Sequence, residues 1–275
     1  MVAYGILVRI WVGDEPDSYV TGVIGTKAAH LTEPKEREKI VPFKDMRIDF
    51  SAKDEKEAAE MGVRVGCSVT PDSELTRLGD GTGDLVVGPA FDDVCAVAAF
   101  MRTLDDLHED PPGNLKLHVV ATVQEEIGYR GAEISGYNLR PWCAIASDVA
   151  HAIAPGVEAS LVGDIYLGKG PVIGVGANFT KALWEIMERE AKANDIPYQW
   201  ESVPDRSGTD AWALQVARGG TISGLVSIPN WYMHSPNEVI SLSDLENVGR
   251  LLAATVRALE KSDLKHTVEV FRRGS

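Results

Sequence analysis

Four short segments of this sequence carry the residue types of a metal centre. Carboxylate oxygens and imidazole nitrogens are the usual protein ligands of a hydrolytic zinc site. A two-metal hydrolase needs ligands for each metal, one carboxylate that bridges them and a further carboxylate that transfers protons. This sequence has three segments with carboxylates and one segment with a histidine, and together they supply all but one of the ligands that such a site needs. The segments are Phe91-Asp92-Asp93, Gln124-Glu125-Glu126-Ile127-Gly128, Ser147-Asp148-Val149-Ala150-His151-Ala152 and Met233-His234-Ser235-Pro236.

The strands predicted around these segments bring the candidate ligands to one edge of a sheet. We predict a buried strand over 115–123, which ends at the paired glutamates, and a shorter strand over 144–147, which ends at Asp148. A third strand, over 221–228, precedes the loop that carries His234. Open α/β sheets bind ligands at the carboxyl ends of their strands. The paired aspartates, directly before a predicted helix, would face the same rim.

Each of these residues also has a purely structural interpretation. Asp92 before a helix fits a helix cap, and Asp148 fits the cap of a turn. The adjacent glutamates fit two solvated loop charges, and both can serve one site only if the chain leaves the strand there, which Gly128 permits. His234 fits a surface histidine. The metal interpretation therefore depends on whether the four segments come together.

The predicted elements divide the chain into two domains. Residues 1–80 hold short β-like runs and one short helix, with Gly and Pro between them, and this pattern indicates a small β-rich module. Residues 81–275 alternate strands and helices, which favours a three-layer α/β/α domain with a mostly parallel central sheet. The last helix is predicted to open at Ser243, with Glu246 completing a capping box. The predicted β runs of the module are 6–12, 19–24 and 45–50, and the predicted helices of the chain are 55–61, 94–107, 181–193, 210–218 and 243–261.

The bulk composition excludes several classes of protein. The chain has 275 residues and a formal net charge of −14, and such a surface repels phosphate backbones, which argues against nucleic-acid binding. No apolar run reaches the ~20 residues of a membrane span, and the N-terminus lacks a signal pattern. Three widely spaced cysteines, Cys67, Cys95 and Cys143, indicate a reducing compartment. We therefore expect a cytoplasmic protein with no membrane or nucleic-acid partner.

These motifs resemble those of the M42 family of metallo-aminopeptidases, the group of the tetrahedral and glutamyl aminopeptidases. The resemblance spans nearly the whole chain in the family's order, and the runs around Glu125 and His234 are the most specific. Upstream, Thr21-Gly22-Val23-Ile24-Gly25 and His30 resemble the family's dimerisation module. The other matching runs are 90–93, 123–132, 148–152, 167–171, 207–211 and 234–238.

The resemblance implies a role for each candidate residue. Asp92 would bridge two divalent cations, zinc or cobalt. Glu126 and His234 would complete one metal position, and Asp148 would belong to the other. Glu125 would be the general base that takes a proton from the attacking water. The implied activity is removal of N-terminal residues from peptides.

The resemblance also implies an architecture and partners. Residues 81–275 would be the α/β/α catalytic domain, and residues 1–80 a PDZ-like or barrel-like dimerisation domain. The partners would be peptide substrates and further copies of the chain, as a dimer or a larger assembly such as a dodecamer.

Three departures from the family pattern qualify these expectations. Val94 stands where a basic residue is usual and Ala150 where a threonine is usual, which would change contacts around the ligands. The family's His-x-Asp motif, which supplies a ligand to the second metal, precedes the dimerisation module, whereas this sequence begins inside that module, and neither His30 nor His151 is expected to replace it. We therefore expect one metal held well and the second poorly, weak or absent hydrolysis, and an uncovered edge or face of the catalytic sheet that favours association.

Two other functions fit parts of the pattern. A truncated or inactive family member could serve as an assembly or scaffold subunit, and tight binding of two metals would argue against it. A glycosidase also uses paired carboxylates. That function predicts activity in excess chelator and leaves His234 without a role.

Overall fold

The computed structural model describes residues 5–25, 27, 29–31 and 41–264. Contacts between residues divide this part of the chain into two compact units. The first contains the described residues up to Leu75 together with the segment 234–237, and the second contains 76–233 and 238–264.

The first unit is built on a four-stranded antiparallel sheet with the order β3-β2-β1-β4. Val8 and Ile10 are buried on β1 because alternate side chains of a strand point to the same face. The short helix α1 begins where the Asp54 carboxylate accepts a hydrogen bond from the Glu57 amide at 2.9 Å. The elements are β1 (Leu7–Trp11), β2 (Tyr19–Gly25), β3 (Arg47–Asp49), α1 (Glu55–Glu60) and β4 (Val69–Pro71). Each overlaps a run predicted from the sequence, apart from β4.

The second unit contains two sheets and its own helices. One sheet has three antiparallel strands in the order β11-β6-β5, and the other has four strands in the order β7-β10-β8-β9. The strands are β5 (Thr76–Arg77), β6 (Leu85–Gly88), β7 (Cys143–His151), β8 (Val172–Val175), β9 (Gln199–Ser202), β10 (Ile222–Asn230) and β11 (Glu238–Ser241). The helices are α2 (Phe91–Glu109), α3 (Arg130–Leu139), α4 (Ala159–Val162), α5 (Lys181–Ala193), α6 (Ala211–Leu214) and α7 (Leu242–Glu260).

The helices pack on both faces of the four-stranded sheet. Val226 and Ile228 of β10 lie in the main core cluster with side chains of α5 and α7. Leu225, which points to the other face, packs against Ala211 of α6. Gly224 lies where a β-carbon would approach the Leu183 side chain to 2.7 Å, so helix α5 can lie directly on the strand.

The sheet is mixed rather than mostly parallel. Strands β7 and β10 run parallel over nine residue pairs, and β8 runs parallel to β9, but β10 and β8 are antiparallel. The fold is therefore α/β, as the alternation of elements predicted, with a mixed sheet. Strand direction depends on how the connections cross the sheet, which local sequence patterns do not encode.

The prediction of a buried strand over 115–123 is wrong. The segment pairs with no other described strand, and most of its side chains are exposed, including Leu117, Val119 and Val123. Its apolar, β-branched composition is typical of a strand, but a strand forms only where a neighbouring backbone completes its hydrogen bonds.

Three further boundaries differ from the predictions. The strand predicted over 144–147 extends over Cys143–His151, so Asp148 lies within it rather than at its end. The helix predicted over 210–218 is a single α-helical turn, α6, followed by a short 3-10 turn. Helix α7 is capped by Ser241, whose hydroxyl accepts from the Asp244 amide at 3.2 Å, instead of by Ser243.

None of the helices in the described ranges is both long and apolar enough to cross a membrane.

Candidate metal centre

The paired aspartates lie in an irregular first turn of helix α2. Asp92 and Asp93 have non-helical backbone angles, and regular helix begins at Val94. The Asp92 amide donates a hydrogen bond of 2.8 Å to Oε2 of Glu238, a buried residue at the start of β11. Glu238 therefore fixes the backbone that carries Asp92. The sequence placed Glu238 in a matching run but did not assign it this contact.

The paired glutamates lie in a tight turn. The amides of Gly128 and Tyr129 both donate to the Glu125 carbonyl at 3.0 Å, which reverses the chain immediately after the pair. Gly128 has φ of +123°, a conformation that glycine adopts most easily. Because the chain turns here, adjacent glutamates can serve one site, as the glycine suggested.

Helix α3 anchors the far side of this turn. The Gly131 amide donates to the Val123 carbonyl at 2.9 Å. A β-carbon at Gly131 would lie 2.5 Å from the Val123 nitrogen, so this close approach requires glycine. The position of the glutamates is thus set by backbone contacts on both sides.

The structure brings three of the four predicted metal ligands together. Asp92, Glu126 and His234 each offer one ligand atom, and these atoms all lie within 4.8 Å of one another. His234 follows strand β10, and the chain on both sides of its loop is held by paired hydrogen bonds between Trp231 and Val239, at 2.9 and 3.1 Å. One carboxylate from a helix start, one from a turn and one imidazole form a set that suits a zinc ion with an open position.

Asp148 is not part of this three-residue group. It is buried within β7, and its Oδ1 accepts a hydrogen bond of 2.7 Å from the Val149 amide. The pKa of Asp148 is raised to about 8, chiefly by burial. The hydrogen bond from the Val149 amide opposes this shift, and the negative charges of Asp92 and Glu125 add to it. Asp148 therefore lies in the electrostatic field of the candidate site.

Asp93 belongs to the same cluster of carboxyl groups. The sequence analysis gave it no role. Burial raises the pKa of Asp93 to about 9, and repulsion from Asp148 and Asp92 adds to the effect. Carboxylates held this close must be neutralised by protons or by a cation. This charge pattern would suit a bound cation.

Asp210 is a further, half-buried carboxyl group of this region. Its Oδ2 accepts a hydrogen bond of 2.5 Å from the Thr122 hydroxyl. Burial raises the pKa of Asp210, and the Thr122 bond opposes the shift. The only sequence signal for Asp210 was its place in the run 207–211, which by itself is a weak motif.

A cavity of about 390 Å³ opens beside the paired glutamates. Arg206 lines it together with Tyr129 and a turn of backbone. The Arg206 guanidinium carbon lies 5.4 Å from the centre of the Tyr129 ring and 5.5 Å from that of Trp212. Arg206 and Trp212 were not predicted from the sequence, and Tyr129 was noted only as part of the matching run 123–132. The cavity is lined by Glu125, Glu126, Ile127, Gly128, Tyr129, Arg206 and Gly208.

A model of the M42 glutamyl aminopeptidase family matches residues 2–251. This chain belongs to the M42 peptidase family. It is 34% identical over 243 residues to the lysyl aminopeptidase of Pyrococcus furiosus, an alignment that covers 88% of this chain and 68% of that protein. Family membership and these relatives identify the protein as a peptidase of the hydrolase class, and they do not favour a scaffold without activity.

Solved structures of aminopeptidases share the fold of this M42 peptidase. A TET aminopeptidase from a marine sediment thaumarchaeote is 31% identical, with a TM-score of 0.83 over 97% of this chain and 74% of that one. The TET1 peptidase of Pyrococcus horikoshii, which can assemble into a tetrahedron or a large octahedral shell, is 28% identical, with a TM-score of 0.74 over 92% of this chain and 72% of that one.

Proposed function

We propose that this M42 peptidase removes N-terminal residues from peptides at a metal centre formed by Asp92, Glu126 and His234, with Glu125 as the general base. The observation that carries the proposal is the approach of the three ligand atoms to within 4.8 Å of one another. Carboxylate oxygens and imidazole nitrogens are both usual zinc ligands, and a catalytic zinc takes three protein ligands and keeps one position open.

The donor set fits zinc or cobalt. Imidazole with carboxylate suits borderline cations better than calcium or magnesium, which take oxygen ligands almost exclusively. When bound, the cation would polarise the scissile carbonyl and make a coordinated water more acidic.

Glu125 is suited to proton transfer because it lies beside a ligand without being one of the three. A carboxylate there can take a proton from the attacking water and return it to the departing amine. Glu238 contributes indirectly, since its bond to the Asp92 amide holds the ligand's backbone in place.

Asp148 is proposed to contribute to a second metal position, with Asp92 as the shared ligand. Its burial and raised pKa support a place in the field of the site. Among the described residues, one group alone has three ligand atoms close enough to hold a metal. We therefore propose that the second position, with two protein ligands, is the weaker one.

Residues 1–80 are proposed as a dimerisation domain and 81–275 as the catalytic domain. The first unit exposes large apolar side chains, among them Leu7, Phe43 and Val65, and exposed apolar groups of this size favour association. The TET relatives form large assemblies, one of them a dodecamer. We propose homo-oligomers built through the first unit, with a peptide as the substrate.

A second apolar surface supports association. Helix α2 exposes Val94, Val97, Met101 and Leu104, which are spaced so that they share one face of the helix.

A cytoplasmic location is proposed from the three cysteines, all of which are free thiols.

The test is metal content per chain, measured beside hydrolysis of aminoacyl anilides. We expect one tightly bound zinc or cobalt per chain by calorimetry and anilide hydrolysis that excess chelator abolishes. Asp92→Asn and His234→Ala should each remove the tight site. Hydrolysis that persists in chelator would contradict a metal mechanism. Two equally tight metals would show that the second position has a further protein ligand besides Asp92 and Asp148.

A further inference from the structure

The segment 115–123 is open to a further chain along most of its length. It pairs with no described strand, and its side chains over 116–121 are exposed in succession. Because neighbouring side chains of an extended chain point to opposite faces, both faces of the segment are open. Leu117, Val119 and Val120 are among these exposed side chains. The segment has the composition of a strand but lacks the neighbour that a strand needs.

The C-terminal end of helix α7 lies beside the start of this segment. The Asn114 amide donates a hydrogen bond of 2.5 Å to Oε1 of Glu260, the last residue of the helix. Leu115 packs against the cluster that contains Val256 of the same helix. Leu264, the last described residue, packs against the same main core cluster as Leu115. The chain therefore leaves the described part of the fold within a few residues of its contact with Asn114.

The C-terminal tail, residues 265–275, follows this point and lies outside the described ranges. Its eleven residues span up to about 36 Å when extended, whereas the nine residues of 115–123 need about 30 Å as a strand. The tail is therefore long enough to run beside the whole segment. Its centre reads Thr267-Val268-Glu269-Val270-Phe271. Four of these five residues are β-branched or aromatic, the types that are enriched in strands.

The charges of the tail complement those along the segment. The segment carries Lys116 and His118, and the paired glutamates follow it. The tail carries Glu269 at its centre and Arg272 and Arg273 near its end. Both chains start at the end of α7, so side by side they run in the same direction. Glu269 then lies close to the basic positions, and the two arginines approach the glutamates, an arrangement of opposite charges that stabilises neighbouring strands.

We propose that the C-terminal tail docks on its own chain as an added parallel strand, with residues 267–271 alongside 117–121. A segment on a short tether has an effective concentration in the millimolar range. The tail therefore occupies the segment in preference to a second copy of the chain at micromolar concentration. The added strand supplies hydrogen-bond partners to the segment and covers part of its apolar surface. The docking requires neither metal nor substrate.

Hydrogen exchange measured by mass spectrometry on the full chain tests the docking, because amides in a strand pair exchange more slowly than free ones. The test variant is Val268→Pro, Glu269→Pro. Consecutive residues direct their amides to opposite edges of a strand, so one of the two prolines removes a donor that faces the segment. Peptides that cover 117–121 should exchange at least about tenfold faster in this variant than in the wild type.

The matched control places the same two prolines beyond the proposed strand, as Gly274→Pro, Ser275→Pro, and should keep the wild-type exchange. Exchange in strand β10 should be the same in all three proteins, which shows that the rest of the fold is intact.

A second measurement supplies the tail as a separate peptide. A chain that ends at Leu264 should lose the protection over 117–121. A synthetic peptide of residues 265–275 should restore it at about millimolar concentration, since the tether no longer raises the local concentration. The same peptide with prolines at positions 268 and 269 should not restore it.

Three results would overturn the docking. Rapid exchange over 117–121 in the wild type would show that no chain pairs with the segment. Equal protection in the wild type and in Val268→Pro, Glu269→Pro would assign the cover to another element. Protection that rises with protein concentration in the micromolar range would assign it to a second copy, because docking within one chain does not depend on concentration.

Discussion

At the scale of single residues, two neighbouring glutamates are proposed to do different work. Glu126 offers a ligand atom to the three-residue group, whereas Glu125 does not belong to it. The backbone turn held by the Glu125 carbonyl lets two adjacent side chains serve one site. The division of roles can be tested because glutamine preserves the shape of either side chain.

Glu125→Gln is expected to lower turnover by ~100- to 10,000-fold, the usual cost of losing a general base. Metal content should stay near that of the wild type, because no ligand is removed. Glu126→Gln is the matched comparison and should lose the tight metal together with the activity. Both variants are checked by measuring their metal content by mass spectrometry and their kcat on an anilide. Metal loss in Glu125→Gln would show that the two roles are exchanged.

Glu238→Ala is expected to destabilise the protein by about 1–3 kcal/mol, because the Asp92 amide would lose its buried acceptor. The metal should also bind more weakly, since the backbone that carries Asp92 is released. Thermal unfolding and zinc calorimetry measure the two effects. Glu238→Gln keeps an oxygen acceptor and should retain most of both properties. Equal losses in the two variants would mean that the charge of Glu238, and not its hydrogen bond, is what matters.

At the scale of elements, helix α7 is joined to a glycine-rich loop by one buried carboxyl group. Asp244 accepts hydrogen bonds of 2.6 Å from the amides of Gly168 and Gly170, while its own amide is capped by Ser241. Burial raises the pKa of Asp244, and the two amide bonds oppose the shift without cancelling it. The run 167–171, which matches the family pattern, is thereby tied to the start of the helix.

The raised pKa of Asp244 gives stability a pH dependence of definite sign. The folded state holds the proton more tightly than the unfolded state, so this contribution is complete below about pH 4 and is lost as pH rises through the folded-state pKa. Asp244→Asn removes the titration. The free energy of unfolding of the wild type relative to Asp244→Asn should therefore fall as pH increases from 4, as measured by urea denaturation. A difference that grows with pH would mean that the amide bonds outweigh burial.

Sequence patterns predicted local elements well and long-range pairing poorly. Helix α5 has the bounds predicted from its amphipathic spacing, and β1 and β2 lie within a residue of the predicted runs. Over 115–123, by contrast, composition indicated a strand, and the structure shows an exposed, unpaired segment. Strand propensity is a property of the segment itself, but the hydrogen-bond ladder of a sheet also needs a neighbouring strand.

The same distinction applies to the candidate site. Asp92, Glu126 and His234 were each predicted as metal ligands, because a short sequence motif surrounds each of them. Arg206 was missed because its contacts are with rings brought near by folding. Glu238 was missed as a support for Asp92 because the two are 146 residues apart in sequence.

At the scale of the whole molecule, self-association is the main expectation. Phe43 and Val65 are almost fully exposed in the first unit, at 89% and 102% of their reference areas, so water would be released if another copy covered them. Light scattering at micromolar concentration should report a mass above that of one chain. The double variant Phe43→Ser, Val65→Ser should lower this mass. Lys53→Ser, an exposed polar position of the same unit, should leave it unchanged. A monomeric wild type would contradict assembly through this unit.

The unpaired segment 115–123 also bears on how the protein behaves when concentrated. An extended segment that pairs with no described strand and carries branched apolar side chains is a template for strand addition by any other extended chain, including a misfolded copy. Lys116 and His118 interrupt the apolar run and act against such stacking. Storage at high concentration is therefore the condition under which fibrous aggregation should start, with this segment at its core.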